Sequence, residues 1–106
     1  MEIVLIDEFA VPEESMAAFR EETGKIQEFI SGLPGFVEGY VFEKKSGQSR
    51  YNVLTTVVWK DPEAMEAAIK SAQAHFQKIG FNPGEIMKRL NVEGVRSTYT
   101  GHPYSR

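Results

Sequence analysis

Apolar residues along this chain keep two rhythms, a period of two in three stretches and a spacing of three or four in two others, and these rhythms predict most of its elements. From Arg50 the residues Tyr51, Val53, Thr55, Val57 and Trp59 fall on one face and Asn52, Leu54, Thr56 and Val58 on the other. Both faces are largely apolar, so this strand is expected to be covered on both sides. Glu2 to Ala10 reads the same way, with Ile3, Leu5, Asp7 and Phe9 set against Val4, Ile6, Glu8 and Ala10. Phe36 to Lys45 makes a further strand, with Phe36, Tyr40 and Phe42 on one face and Val37, Gly39 and Val41 on the other. Val92 to Thr100 makes the last, followed by a tail, Gly101-His102-Pro103-Tyr104.

Between the strands the rhythm changes. Val11-Pro12-Glu13-Glu14 opens a helix, with proline in the first turn and carboxylates near the positive end of the dipole. Met16, Phe19, Thr23, Ile26, Phe29 or Ile30, and Leu33 form its apolar stripe, and Gly32, Pro34 and Gly35 stop it. A second helix starts where the third strand ends. Asp61 offers a cap oxygen, Pro62 needs no N–H partner there, and Glu63 complements the dipole. Met65, Ile69, Ala72, Phe76 and Ile79 mark its buried stripe, with Ala68 and His75 on the flank, and Gly80 ends it. Glu85 to Leu90 is expected to add a short helical turn, and Ser46 to Ser49 to join strands two and three as a hairpin.

The order is β-α-β-β-α-β, an α+β ferredoxin-like sandwich. Right-handed crossovers place both helices on one face of an antiparallel sheet whose first and third strands are central. Those are the strands that are apolar on both sides. Two helices cover one face only, so a second copy of the sheet is expected on the other, in a homodimer.

Composition narrows the function. A chain of 106 residues is expected to be a single domain, residues 1–106, and 42% hydrophobic with 25% charged residues is ordinary for a globular protein. With no cysteine there is no disulfide, thiol nucleophile or thiolate metal site. A net charge of −3 gives no basic footprint, so nucleic acid is not an expected partner. The apolar run Ile3 to Ile6 is too short for a membrane span or signal peptide, which leaves the cytoplasm as the default location. Two histidines without a matching carboxylate pattern make no metal site, and no phosphate-binding glycine loop or Ser-His-Asp signature is present.

Four segments carry a resemblance. Phe9-Ala10-Val11-Pro12-Glu13-Glu14, Leu33-Pro34-Gly35-Phe36 leading to Gly39-Tyr40, Val57-Val58-Trp59-Lys60-Asp61-Pro62-Glu63-Ala64, and Ala74-His75-Phe76 together resemble the antibiotic biosynthesis monooxygenase family of dimeric α/β barrels. The resemblance covers roughly residues 1 to 100. It implies a small enzyme that oxidises quinols, anthrones and related phenols with dioxygen and no added cofactor, or a haem-degrading branch, or a relative without known activity. This chain departs from the pattern at Ala68, where members often carry histidine. The haem-degrading branch uses an asparagine on the first strand and a tryptophan and histidine on the second helix. Here those places offer Asp7, no tryptophan and only His75, which disfavours haem degradation.

Candidate residues each have a plainer alternative. His75 is either a general base suited to neutral pH or a hydrogen-bonded boundary residue. Trp59 is either an aromatic wall for a planar ligand or a core residue closing the sheet. Asn52 either points a carboxamide into a pocket or sits at an exposed strand end. Arg96 either holds a phenolate or carboxylate, or pairs with Asp7 or Glu8 at a dimer interface. Tyr51 and Tyr99 either line the substrate or pack. The leading expectation is a cofactor-independent monooxygenase for a small phenolic or quinol-like aromatic compound, with His75 as base, Arg96 or Asn52 stabilising the anion, and Trp59, Tyr51 and Tyr99 binding the ring. The rival is a ligand-binding or structural dimer that keeps the fold without the chemistry.

Overall fold

The computed structural model describes residues 1–105. Its elements are β1 (Ile3–Ala10), a 3₁₀ turn (Glu13–Ser15), α1 (Met16–Ile30), β2 (Phe36–Glu43), β3 (Val53–Trp59), α2 (Pro62–Ile79), α3 (Pro83–Arg89) and β4 (Glu93–Tyr99). The strands form one antiparallel sheet in the order β2-β3-β1-β4, so β1 and β3 are central as the double-sided apolar pattern predicts. This is the ferredoxin-like arrangement. The molecule measures 39 × 38 × 18 Å, and the short dimension holds one sheet and one layer of helices.

The β3–α2 junction follows its sequence signals closely. Asp61 accepts a hydrogen bond from the Ala64 N–H at 2.8 Å, Pro62 occupies the first turn, and Gly80 closes α2 with φ 73°. Met65, Ala68 and Phe76 are the buried residues of α2. Ile79, expected inside, is the last residue of α2 and 58% exposed, whereas the small Ala68, expected on the flank, is buried. Helix α1 likewise buries Phe19 and Thr23, and the Thr23 hydroxyl donates back to the Phe19 carbonyl at 2.7 Å. Arg20 on α1 reaches Glu43 at the end of β2 through two hydrogen bonds of 2.6 and 2.7 Å, which hold that carboxyl below its ordinary range. The pair is solvent-exposed and adds little to stability.

Strand β2 departs from simple alternation. A bulge between Phe36 and Glu38 shifts its register, so Phe36 lies opposite Trp59 on the helix-covered face, together with Gly39 and Val41. Tyr40 and Phe42 stay on the other face. The expected grouping of Phe36 with Tyr40 and Phe42 is therefore corrected by one inserted residue. Gly39 makes room for the Phe36 ring, since a Cβ there would lie 3.3 Å from it.

The core falls into two clusters at opposite ends of the inner face. Leu5, Val57, Trp59, Met65 and Ala68 form one, and Val11, Phe19 and Val53 form the other. The second is pinned by Asn52. Its Oδ1 accepts from the Val11 N–H and its Nδ2 donates to the Val11 carbonyl, both at 2.8 Å, so one side chain satisfies both polar groups of a backbone unit just past β1.

Two glycines allow a paired test of this packing. Gly35 has φ +86° and a Cβ there would lie 2.5 Å from the Ala64 Cβ, while Gly24 sits inside α1 with open space around it. Gly35→Ala should lower the unfolding free energy by more than about 1 kcal/mol, and Gly24→Ala should raise it by roughly 0.5–1 kcal/mol, both read from urea midpoints. Asn52→Ala should destabilise by about 1–3 kcal/mol through the orphaned Val11 groups, measurable by thermal and urea unfolding.

Candidate functional site

The site is a cavity of ≈ 420 Å³ between the two core clusters, roofed by α1 and α3 and floored by the sheet. Strand register builds the floor. Val41, Thr55, Asp7 and Arg96 form one row across β2, β3, β1 and β4. On either side of this row in β1 and β3 the inward positions are Leu5, Phe9, Val53 and Val57, all apolar. Ile26, Gln27 and Ile30 from α1 and Met87 from α3 form the roof. The result is an apolar slot with a polar strip along one edge, within the size range that encloses a small organic ligand.

The strip has a defined geometry. Arg96 Nε donates to Asp7 Oδ1 at 2.7 Å and Nη2 donates to Oδ2 at 3.1 Å, a two-point fork. These bonds hold the Arg96 guanidinium above its ordinary value, against a smaller downward pull from burial, so it stays charged throughout the working pH range. The Asp7 side chain is 17% exposed and the Arg96 side chain 56%, so the carboxylate is tucked under a guanidinium that still faces the opening. Among the lining residues Asp7 is the one carboxylate and Arg96 the one cation.

The other residues expected at a site lie elsewhere. His75 stacks flat on Phe29 of α1, with ring centroids 4.1 Å apart and planes within 2°, and does not line the cavity, because its helical position turns it toward the neighbouring helix. Asn52 borders a separate groove with Lys44 and Arg50, and both ends of its carboxamide are bonded to Val11. Trp59 is 2% exposed in the core, edge-on to Phe36 at 5.7 Å, and its indole N–H has no hydrogen-bond partner among the described residues. Tyr51 precedes β3 and lies against Arg50, whose guanidinium sits 4.7 Å from its ring. Tyr99 pairs with Val4 on the face that carries no helix and is 53% exposed. Of the expected residues the structure brings Arg96 alone to the cavity, paired with Asp7 within one chain and on the helix-covered face, not at the dimer interface where that pair was the plainer alternative.

What sequence reasoning passed over was the row itself. Asp7 and Thr55 each interrupt an inward apolar series, Ile3, Leu5, Phe9 in one strand and Val53, Val57, Trp59 in the other, and antiparallel pairing puts them side by side. Two coincident polar breaks in central strands were the available signal. The roof residues gave none, since Ile26, Ile30 and Met87 are ordinary stripe residues until a gap opens beneath them.

Neither histidine lines the cavity, so no imidazole is placed to ligate a haem iron there, and among the described residues no cluster of three or more His, Asp or Glu is placed to hold a metal ion. Among the described residues no helix is long and apolar enough to cross a membrane.

Comparison with known proteins places this fold. The chain resembles the structure of a monooxygenase candidate from Shewanella loihica, with TM-score 0.73, 19% identity, and coverage of 96% of this chain and 95% of that one. It also resembles SnoaB, a cofactor-independent oxygenase from Streptomyces nogalater, with TM-score 0.68, 18% identity, and coverage of 96% and 94%. A MhuD mutant solved with two manganese protoporphyrin IX molecules per active site aligns with TM-score 0.74 at 14% identity, covering 98% of each chain. At these identities the likeness speaks to the fold. A search of curated proteins by sequence finds no significant match. The family model for antibiotic biosynthesis monooxygenases, however, matches residues 2–79, from β1 to the end of α2, and the chain belongs to that family.

Proposed function

We propose that this protein is an oxygenase that oxidises a small phenolic or quinol-like aromatic compound with dioxygen, and that it works as a homodimer. The observation that carries the reading is the cavity, an apolar slot of ≈ 420 Å³ whose one cation, Arg96, stands at its polar edge. A planar ring fits between the α1 roof and the sheet floor, and its hydroxyl falls beside the guanidinium. Removing the hydroxyl proton leaves an anion that Arg96 stabilises in surroundings that exclude much of the water. The electron-rich anion then reduces dioxygen. A C–O bond forms to give a hydroperoxide, and loss of water across the C–H and O–O bonds of an anthrone-type carbon leaves a carbonyl. One oxygen atom ends in the carbonyl and the other in water, and the substrate supplies every electron.

The dimer follows from the uncovered face. Tyr40, Phe42, Val95 and Tyr99 are each 45–56% exposed on the side of the sheet without helices, with Val4, Ile6, Leu54 and Val58 between them. A second sheet laid on this face removes a contiguous apolar patch from water. On this reading Tyr99, expected at the substrate, serves the interface.

Oxygen uptake against hydroquinones, anthrones and naphthols tests the activity. Arg96→Gln should reduce kcat/KM by roughly 100-fold, on the scale of one anion-stabilising donor. His75→Ala should keep turnover and lose only about 1 kcal/mol of stability with its stack on Phe29. Uptake that depended on His75 and ignored Arg96 would move the site away from the cavity, and ligand binding with no uptake across the panel would favour the non-catalytic dimer. Sedimentation should give a dimer for the natural chain and a monomer for Phe42→Glu; a monomeric natural chain would sink the assembly.

A further inference from the structure

Asp7 has an uncommon place for a carboxylate. It stands mid-strand on the helix-covered face of β1, paired with Thr55 on one side and Arg96 on the other, where the alternation otherwise sets apolar residues. A partly buried ion pair at such a point adds little stability relative to well-packed apolar side chains, so stability does not account for it. Its hydrogen bonds also leave capacity unused. Arg96 gives Asp7 one Nε and one Nη2 hydrogen, and the rest of its five N–H donors have no partner among the described residues, while each Asp7 oxygen accepts from Arg96 and keeps a lone pair. The edge of the cavity thus presents a donor and an acceptor side by side.

We infer that Asp7 is the proton acceptor of this site, taking the hydroxyl proton of a bound phenol while Arg96 transfers its partnership from the carboxylate to the new phenolate. The inference rests on the phenol-oxidising reading and deepens it. In the step the ligand O–H bond breaks, an O–H bond forms on the Asp7 carboxyl, and no electron moves. One cation and one anion stand at the cavity edge before the transfer and after it. That conservation is the physical point, because creating an additional unpaired charge in an apolar slot is costly, whereas exchanging one ion pair for another avoids that cost and leaves only the difference in acidity between the phenol and the carboxyl. A histidine is then unnecessary as the base, consistent with His75 lying against Phe29.

The groups that border the cavity with Asp7 are few. Arg96 comes from β4, Thr55 from β3, Thr23 and Gln27 from α1, and Met87 from α3; no α2 residue lines it, and the one other titratable residue bordering it is Tyr40, whose place in β2 sets its side chain on the opposite face of the sheet.

Binding of 4-nitrophenol, a chromophoric phenol ionised above neutral pH, tests the inference without turnover. If the phenolate is held beside a protonated Asp7, it must bring a proton with it, and Kd rises about tenfold per unit between about pH 8 and pH 10. In Asp7→Asn, neutral already, Kd should be flat over that range. Tyr40→Phe should reproduce the natural slope, which removes Tyr40 as its source. Tight binding by the natural chain with a flat Kd would overturn the role of Asp7 alone, and a slope that survived in Asp7→Asn would do the same. Absence of binding at millimolar probe would take down the phenol reading of the cavity together with this inference. Should Asp7→Asn fail to fold by circular dichroism, Asp7→Ser takes its place as the variant whose Kd should be flat, and the visible absorbance of the probe bound to the natural chain should be that of the phenolate; a bound neutral phenol would overturn the role of Asp7.

Discussion

The pairing of β1 with β3 on one side and β4 on the other is the constraint from which the rest follows. Once Ile3 stands opposite Trp59 and Val4 opposite Tyr99, every residue of the central strand has a fixed neighbour and a fixed face. Asp7 then cannot avoid Arg96, although the two are far apart in the chain. The helices are laid on afterwards. Asp61 starts α2 directly from the end of β3, and the bond from the Lys60 N–H to the Gly35 carbonyl at 2.9 Å ties the α1–β2 turn to that junction.

This order explains why the core is split. A charged row across the middle of the inner face cannot be covered by close-packed aliphatic side chains without stranding polar atoms. The apolar residues instead gather at the two ends, around Trp59 and around Phe19, and the row keeps a gap above it. The cavity is thus the space that the Asp7–Arg96 pair prevents the core from filling. Its location depends on charge and its shape on the helices.

The fold was legible because its signals were local and redundant. The double-sided apolar pattern of Ile3–Ala10 and Val53–Trp59 identified the central strands, and Asp61-Pro62 with Gly80 bounded α2 without tertiary information. The site was legible only in part. His75 and Asn52 drew attention as polar residues in apolar surroundings, but each answers to a neighbour that periodicity does not reveal, the Phe29 ring for one and the Val11 backbone for the other. Arg96 was found for its chemistry, while Asp7 was read as its ion-pair partner at a dimer interface and as a departure from the haem-degrading pattern. Their meaning lies in which strand stands beside which, and that is a property of topology.

The bulge at the start of β2 bears on how this chain is compared with its relatives. It adds a residue to one strand and none to its neighbour, so odd and even positions exchange faces across Val37. An alignment that places a gap on the wrong side of that residue keeps nearly the same percentage identity while assigning Tyr40 and Phe42 to the buried face and Gly39 and Val41 to the open one. At about 19% identity, where gaps are placed with little to guide them, functional positions are better transferred to this strand through its partners in β3 than through its own letters.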